Sequence, residues 1–383
     1  MSQNPLISIL IATKNRQFFC FEAIKSIVNL KFDNIEICIS DNSDNNQLQK
    51  QIADLNIDYL NYKYTNDKIS FIENFNRCMD MSKGKYVTLI GDDDCILPST
   101  IDYVKYADEN NLESISSVNN ISYYWPGALD NFPNGMEEIV IERKKIVKYN
   151  PKNYLKDLLK NGLQHYLLYP LPRVYHGIIR RDKMLEVKER TGNFFGGLSP
   201  DIYASISLSC IIKEHYTTTE PLSIAGVCGN SASAKNIKGK HSGEMSESPL
   251  LNNIDNYDWE KSIPYFYSVN TIWAESAMKA IVDMNETALI TYFNKYRLMA
   301  HSVINNRKFI PEILKREQNK IRVESGFNNI FFTYKMSLEY ITIVAKKIKY
   351  IFNNISKNKN KKIYTNVSNI KDAIDNYILT TKK

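Results

Sequence analysis

The chain has 383 residues, of which 43% are hydrophobic, 24% are charged and 11% are aromatic, and its formal net charge is +7. This is the composition of an ordinary globular protein with two or three domains, and it excludes collagen-like, mostly disordered and disulfide-scaffold proteins. Eight lysines and one glutamate between Lys335 and Lys362 account for the whole net charge. We therefore expect no nucleic-acid groove spread over the fold.

Cysteine spacing and the N-terminal sequence indicate a cellular compartment. The six cysteines are scattered and form no C-x-x-C pair, which argues against a zinc ribbon or a dithiol redox site. The N-terminus has no basic region followed by a long apolar stretch, and no run of about 18 apolar residues occurs in the chain. We expect a cytoplasmic protein.

Strand-like and helix-like segments alternate in the first hundred residues. Apolar runs predict strands, and apolar residues three or four positions apart predict helices. The predicted elements are a strand over Leu6–Ile11, a helix around Ala23–Val28, strands over Ile35–Ser40 and Tyr59–Tyr64, a helix over Ile69–Met81 and a strand over Tyr86–Ile90. This order predicts an α/β nucleotide-binding fold with a mainly parallel sheet flanked by helices. Neither G-x-G-x-x-G after the first strand nor G-x-x-x-x-G-K-[ST] occurs, which disfavours Rossmann dehydrogenases and P-loop NTPases.

The rest of the chain divides by composition. Residues 1–228 read as one α/β domain, although the pattern is less regular beyond Pro98. Residues 229–256 are rich in small and polar residues and are predicted to form a mobile loop. From Tyr257 to the end, residues 257–383, the pattern predicts a helical region without strands.

Three consecutive carboxylates, Asp92, Asp93 and Asp94, follow the strand that ends at Ile90. Their mutual repulsion makes it costly to ionise all three close together. A divalent cation such as Mg²⁺ or Mn²⁺ removes that cost, and such ions bind one or two carboxylates together with phosphate oxygens. The alternative is an acidic turn that caps the helix near Pro98.

Three segments resemble the motifs of inverting family 2 glycosyltransferases with the GT-A fold. They are PLISILIATKNR at residues 5–16, ISDNS at 39–43 and KGKYVTLIGDDD at 83–94. The resemblance implies a GT-A catalytic domain, with nucleotide-sugar binding in about 1–100 and the acceptor side in about 100–228. It also implies transfer of a sugar from a UDP or dTDP donor to a glycan or lipid-linked oligosaccharide during surface polysaccharide assembly.

The resemblance assigns roles to individual residues. It makes Asp41 the partner of the nucleotide base, whereas the alternative is that Asp41 starts an Asx turn. It places Asp92 near the ribose and makes Asp93 and Asp94 the metal ligands, with Gly91 at the family's first carboxylate position. The loop against the nucleoside and pyrophosphate contains Ala12, Thr13, Asn15 and Arg16.

A general base and a further metal ligand come from later in the chain. Asp201, in Gly196-Gly197-Leu198-Ser199-Pro200-Asp201, resembles the family's catalytic base, and an N-terminal helix cap is the alternative. His241 is the candidate for a metal or phosphate ligand on loop closure, and a solvated loop is its alternative.

The C-terminal region contains an amphipathic basic pattern. Apolar residues from Leu338 to Ile355 recur at helical spacing, with Lys346, Lys347 and Lys349 among them. Contact with an anionic membrane at the inner face of the cell membrane, through Lys335–Lys362, is one interpretation. Packing on the catalytic domain is the other.

Two other functions compete with glycosyl transfer. A sugar-nucleotide nucleotidyltransferase also uses carboxylates at a strand end, but it needs a glycine-rich basic loop after the first strand, and residues 12–16 do not supply one. A catalytically inactive glycan-binding module would bind nucleotide and metal and form no product.

Overall fold

The computed structural model describes residues 4–119, 121–229, 242–251, 254, 256–355 and 360–381. The strands are β1 Ile7–Thr13, β2 Ile35–Asp41, β3 Leu60–Tyr64, β4 Tyr86–Ile90, β5 Cys95–Ile96, β6 Ser114–Ser117, β7 Ile121–Tyr124, β8 Met136–Val140, β9 Ile146–Tyr149, β10 Gly177–Arg180, β11 His215–Thr218, β12 Ser223–Val227, β13 Ser242–Gly243, β14 Tyr267–Ser268 and β15 Lys361–Thr365. The α-helices are α1 Gln17–Asn29, α2 Gln47–Ala53, α3 Phe71–Asp80, α4 Pro98–Glu109, α5 Pro151–Lys160, α6 Arg181–Thr191, α7 Pro200–Ile211, α8 Val269–Asp283, α9 Lys295–Asn306, α10 Pro311–Glu324, α11 Asn329–Ile355 and α12 Ile370–Thr381.

The central sheet has eight strands in the order β3-β2-β1-β4-β10-β6-β11-β9. β1 pairs in parallel with β2 on one side and with β4 on the other, so that Ile7 lies beside both Ile35 and Tyr86. β10 is antiparallel to both of its neighbours. The predicted mixed, mainly parallel sheet flanked by helices is confirmed.

Helices cover both faces of this sheet, which explains why β1 and β2 are apolar almost throughout. On one face, α1 and α4 contribute Ile24 and Val104 to a core that also contains Ile9 and Ile37. On the other face, α3, α6 and α7 pack against Leu10 and its neighbours. Continuous apolar strands are typical of a sheet buried on both sides.

The predicted elements of the first hundred residues are present with small shifts at their ends. α3 begins at Phe71 because the Ser70 hydroxyl caps the helix, accepting a hydrogen bond from the Glu73 backbone N–H. The pattern missed α2, which buries only Leu48 and Ile52. Two apolar residues on a short helix give too little periodicity to detect.

A second sheet has the order β15-β8-β7-β12-β5. Its edge strand β15 is antiparallel to β8, with Lys361 opposite Val140 and Thr365 opposite Met136. The prediction that the chain is helical without strands from residue 257 onward is therefore wrong at β15 and at the short β14. Lysines at an exposed edge gave β15 a polar sequence, as is common for edge strands.

Helix α12 follows β15 and packs on the second sheet. Its buried residues Ile370, Ile374 and Tyr377 join a core that contains Tyr123 and Trp125. The last part of the described chain thus completes the N-terminal half of the molecule.

The C-terminal region is otherwise helical, as expected. α8 packs against α7 and shares a core with α5 and α9. α9, α10 and α11 build a further core around Phe266 and Met299. Within the described ranges, no helix combines the length and the apolar character needed to cross a bilayer.

The packing of α12 predicts a stability effect. Ile374→Ala should lower the free energy of unfolding by about 2–4 kcal/mol, because it leaves a cavity in a buried cluster. Leu379→Ala, on the exposed face of the same helix, should change it by less than about 0.5 kcal/mol. Urea unfolding measures both, and equal losses would contradict the packing described here.

Candidate functional site

Three polar segments meet at one edge of the central sheet, because β1, β2 and β4 are parallel and end side by side. They are residues 13–16 after β1, 41–44 after β2 and 91–94 after β4. Ligands bind at this edge in open α/β sheets. The sequence-predicted residues from these three segments are therefore brought together.

The loops after β1 and β2 are joined by reciprocal hydrogen bonds. The Asn15 backbone N–H donates to Ser43 Oγ at 2.8 Å, and the Asn15 amide donates to Asp44 Oδ2 at 2.9 Å. The Asp44 backbone N–H donates back to Asn15 Oδ1 at 2.9 Å. Asn15 has φ +57°, a left-handed conformation that Asn tolerates better than most residues. Ala12 lies half-buried just before this loop.

Asp41 is fully buried at the end of β2. Its Oδ1 accepts from the Ser43 backbone N–H at 2.8 Å, and its Oδ2 accepts from the Tyr62 hydroxyl at 2.7 Å. The first of these bonds is the Asx turn that was the alternative to base recognition. Each carboxylate oxygen has two lone pairs and could accept a second hydrogen bond. These contacts therefore do not conflict with base binding, which stays a prediction.

Arg16 bridges the first two carboxylates of the cluster. Its Nη1 lies 2.7 Å from Asp92 Oδ1, and its Nη2 lies 2.5 Å from Asp93 Oδ2. Thr13 Oγ1 donates to the other oxygen of Asp92 at 2.7 Å. Burial raises the pKa of Asp92 to about 7, although attraction to Arg16 opposes that rise, and repulsion from Asp93 adds to it.

Asp93 is bound by several protein groups. Its Oδ2 accepts from Arg16 and from the Cys228 backbone N–H at 3.0 Å, and the Cys228 thiol is a further hydrogen-bond partner of this carboxyl group. Burial and the charge of Asp94 raise the pKa of Asp93, a cost that a bound cation would offset. The donor set therefore fits a metal ion held by Asp93. In the part of the chain that the structure describes, no three His, Cys, Asp or Glu side chains converge on one point, so such an ion would also depend on nucleotide oxygens.

Asp94 has a structural role, because both of its carboxylate oxygens accept hydrogen bonds from the protein. Its Oδ1 accepts from the Gly226 backbone N–H at 2.6 Å. Its Oδ2 accepts from the Gly91 backbone N–H at 2.6 Å and from the Tyr175 hydroxyl at 2.9 Å, and His176 Nε2 lies 3.3 Å away. Both oxygens of this predicted metal ligand thus have protein donors.

These contacts also explain the glycine at position 91. A Cβ there would lie 2.8 Å from both Asp94 Oδ2 and the Tyr175 hydroxyl, so a side chain would break that pair. Gly226 is constrained in the same way, since a Cβ would lie 1.8 Å from the Asp93 carbonyl oxygen. The departure from the family pattern at Gly91 therefore has a local steric reason.

Asp201 lies in the first turn of α7. Its Oδ2 accepts from the Tyr166 hydroxyl at 2.5 Å, and its Oδ1 accepts from the Ser199 hydroxyl at 2.5 Å, so the carboxylate is oriented by hydroxyl groups rather than by backbone N–H groups. Its partner Tyr166 lies in the stretch 166–176, in which Tyr175 and His176 both contact Asp94. One stretch of the chain therefore contacts both Asp201 and the carboxylate cluster.

Several residues of the site were missed by sequence reasoning, and one predicted residue cannot be placed. His241, with Lys235, Lys238 and Lys240, lies outside the described residues. The donors to Asp94 from Tyr175 and Gly226 had no local sequence signal, because they are 81 and 132 positions away. Trp125, whose indole N–H donates to the Asp93 carbonyl at 3.0 Å, is 32 positions further along the chain and had no local signal either. Burial and the charge of Arg173 lower the pKa of His176 to about 3, so this histidine is neutral at pH 7.

Comparison with known proteins agrees with the site. Residues 8–169 match the model of glycosyl transferase family 2, a range that begins in β1 and contains the three polar segments. Over this range the chain is similar to glycosyl transferase family 2.

Two relatives are similar to parts of the chain. GalNAc(5)-diNAcBac-PP-undecaprenol beta-1,3-glucosyltransferase of Campylobacter jejuni is 33% identical over 100 residues, which are 25% of this chain and 32% of the relative. Uncharacterized glycosyltransferase MJ1057 of Methanocaldococcus jannaschii is 27% identical over 166 residues, which are 39% of this chain and 53% of the relative. The chain thus spans only about a third to a half of the length of these relatives.

Solved structures are similar at low identity. The crystal structure of S. aureus TarS 1-349 in complex with UDP is 12% identical, with a TM-score of 0.43, and the match covers 90% of this chain and 91% of that one. The mannosyltransferase PcManGT from Pyrobaculum calidifontis, in complex with GDP-Man and Mn²⁺, is 12% identical with a TM-score of 0.39, over 91% and 88% of the two chains.

The different surroundings of Asp93 and Asp94 predict different effects on stability. Asp94→Asn should lower the free energy of unfolding by about 1–3 kcal/mol, because it places an amide N–H against donors that need an acceptor. Asp93→Asn should cost less, because the single amide oxygen of Asn can keep the Oδ2 contacts with Arg16 and the Cys228 backbone N–H. Urea unfolding of both variants measures the difference, and an Asp94→Asn protein as stable as the wild type would show that the fold does not need this carboxylate.

Proposed function

We propose that the protein is a metal-dependent inverting glycosyltransferase that moves a sugar from a UDP or dTDP donor to a hydroxyl group of a glycan or lipid-linked glycan in surface polysaccharide biosynthesis. The observation that carries this proposal is that Arg16 pairs with Asp92 and Asp93 at the sheet edge, and that the stretch 166–176 contacts both Asp94 and Asp201. The match of residues 8–169 to glycosyltransferase family 2 supports it.

The nucleotide binds at the joined loops after β1 and β2. Asp41 accepts the N–H of uracil or thymine, which rejects bases that present an acceptor there. Asp92 binds the ribose, and Arg16, the only arginine in the two loops, pairs with the diphosphate. This requires Arg16 to exchange carboxylate oxygens for phosphate oxygens, a change that its charge and bidentate geometry suit.

Asp93 would hold Mn²⁺ or Mg²⁺ through its carboxylate. When bound, the ion supplies positive charge that stabilises the leaving diphosphate. Arg16, which pairs with Asp93 in this structure, would then be able to pair with the diphosphate instead.

Asp201 is the general base. It removes the proton of the acceptor hydroxyl while that oxygen attacks the anomeric carbon, and the bond from this carbon to the β-phosphate oxygen breaks on the opposite face. The Tyr166 and Ser199 hydroxyls hold the Asp201 carboxylate in one orientation. The products are the inverted glycoside, the nucleoside diphosphate and a protonated Asp201.

Nucleotide-sugar turnover tests this proposal. We expect donor hydrolysis or transfer with Mn²⁺ or Mg²⁺ that stops with a chelator, and Asp201→Asn should lower kcat by about 10²-fold or more with little change in donor binding. Asp182→Asn is the control, because Asp182 is an exposed carboxylate on α6 that pairs with Arg180 at the end of β10. This variant should have the activity of the wild type.

Other outcomes identify the competing functions. Nucleotide binding with no product from any acceptor would indicate an inactive glycan-binding module. Formation of a sugar nucleotide from a sugar phosphate and a nucleoside triphosphate would indicate a nucleotidyltransferase. Loss of donor binding in Asp201→Asn would contradict its assignment as the base.

The acceptor and helix α11 lead to a proposal about location. The Campylobacter jejuni relative is named for a lipid-linked substrate, and we propose that this protein also meets its acceptor at an anionic membrane surface, on the cytoplasmic face. α11 supports this, because one of its faces packs on the protein and the opposite face is apolar and exposed. The exposed residues are Ile330, Tyr334, Leu338, Ile341, Val344, Ile348, Ile351 and Phe352.

Lysines flank this exposed apolar face. At helical spacing, Lys347 and Lys349 lie on either side of the row that contains Ile341 and Ile348, and both lysines are exposed. Buried Phe332, Met336 and Ile343 attach the other face to the protein. An apolar row between lysines is typical of a helix that lies in the plane of an anionic membrane. The packing interpretation thus holds for one face of the helix, and membrane contact is our proposal for the opposite face.

Vesicle binding tests the membrane proposal with point variants, because a truncation would also remove β15 and α12. Ile341→Asp with Ile348→Asp should abolish co-sedimentation with vesicles containing phosphatidylglycerol and leave the fold intact. Leu185→Asp, at an exposed apolar position on α6, should bind as the wild type does. The proposal would be contradicted if the wild-type protein did not co-sediment with these vesicles, or if it bound neutral phosphatidylcholine vesicles equally well.

A further inference from the structure

Arg173 belongs to a segment that borders the candidate site. Leu89 donates its backbone N–H to the Val174 carbonyl at 2.8 Å, and His176 donates to the Leu89 carbonyl at 3.0 Å, so this segment runs beside the end of β4. Tyr175 and His176 of the same segment contact Asp94. Arg173 therefore lies close to the sheet edge that carries the candidate site.

The Arg173 side chain is buried without a carboxylate partner. It is 8% exposed, and its Nη2 donates only to the Ser117 carbonyl at 2.5 Å and to Ser116 Oγ at 3.5 Å. Its Nε is buried with no hydrogen-bond partner, and its Nη1 makes no hydrogen bond within the described ranges. Two nitrogens of the Arg173 guanidinium, Nε and Nη1, thus have no hydrogen-bond acceptor among the described residues, and no carboxylate there neutralises its positive charge.

Two other shielded arginines in the described structure are neutralised. Arg16 pairs with Asp92 and Asp93, and Arg297 pairs with Glu339. A buried charge without a partner is strongly unfavourable. Such a cation is unusual as a purely structural element, and its unused donors indicate that the counter-ion comes from a ligand.

The position of Arg173 relative to the reaction narrows that ligand. Its guanidinium donates to the carbonyl of Ser117, the last residue of β6. Because β4 and β6 are both antiparallel to β10, they end at the same edge of the sheet. Arg173 thus lies at the edge that carries the Asp92–Asp94 cluster. In the proposed reaction, the group between the diphosphate and the base is the sugar being transferred.

We propose that Arg173 binds a carboxylate on the transferred sugar, so that the donor is a nucleotide-activated uronic acid. This inference rests on the proposed function and names its donor class. The diphosphate is a poorer partner, because Arg16 and the Asp93 site already serve it. A guanidinium forms strong, charge-assisted hydrogen bonds with a carboxylate, and Nη1 of Arg173 has no hydrogen-bond partner among the described residues.

Paired donors that differ only in the carboxylate test this inference. Calorimetric titration of the full chain with Mn²⁺ compares UDP-glucuronic acid with UDP-glucose, and UDP-galacturonic acid with UDP-galactose. We expect the wild type to bind at least one uronic acid form about 10-fold to 100-fold more tightly than its neutral partner, as for a charge-assisted hydrogen-bonded pair. Arg173→Gln should remove this preference and leave UDP affinity unchanged, whereas Arg173→Lys should keep part of it.

The outcomes separate the two proposals. Normal UDP binding with no preference for either uronic acid, or a preference that persists in Arg173→Gln, overturns the role of Arg173 and leaves glycosyl transfer standing. Failure to bind any uridine or thymidine nucleotide overturns the proposed function itself. If Arg173→Gln does not fold, as shown by circular dichroism, the wild-type comparison and Arg173→Lys still decide the question.

Discussion

The architecture of the site follows from one constraint, which is that three adjacent carboxylates are buried at the end of β4. Asp92, Asp93 and Asp94 are each less than 5% exposed, and burial opposes the ionisation of all three. Two kinds of contact offset the cost of burying these charges. Arg16 neutralises Asp92 and Asp93, and a shell of backbone and hydroxyl donors surrounds Asp94. The loops from distant parts of the chain are held in place by supplying those donors.

This constraint connects the two sheets. Gly226 and Cys228, at and just after the end of β12, donate to the carboxylates, and Trp125, just after β7, donates to the Asp93 carbonyl. Since β7 and β12 are neighbours in the second sheet, that sheet acts as the wall of the cluster. The carboxylates thus serve both the candidate chemistry and the junction between the sheets.

The parts of the fold that could be predicted from sequence are those with local periodicity. The strands β1, β2 and β4 are continuous apolar runs, and the polar residues after them fall at one sheet edge by topology alone. The sequence could not distinguish Asp93 from Asp94, because the difference depends on which oxygen meets a donor from Tyr175, Gly226 or Cys228. The strand β15 was missed for a related reason, since its pairing with β8 joins residues more than 200 positions apart.

The same limit applies to charge. Counting lysines located the net charge in one segment, but not the faces of α11 on which they lie. Arg173 was not singled out, because its distinguishing feature is burial without a carboxylate partner. Which side chains surround an arginine can be known only from the folded structure.

The contribution of β15 and α12 to the second sheet affects how the protein folds. Tyr123 and Trp125 pack against Ile370, Ile374 and Tyr377, so the part of the second sheet behind Asp93 is completed by residues much later in the chain. Contacts between such distant segments form slowly, because a long loop must close first. The surroundings of the carboxylate cluster are therefore completed late in folding, after this loop has closed.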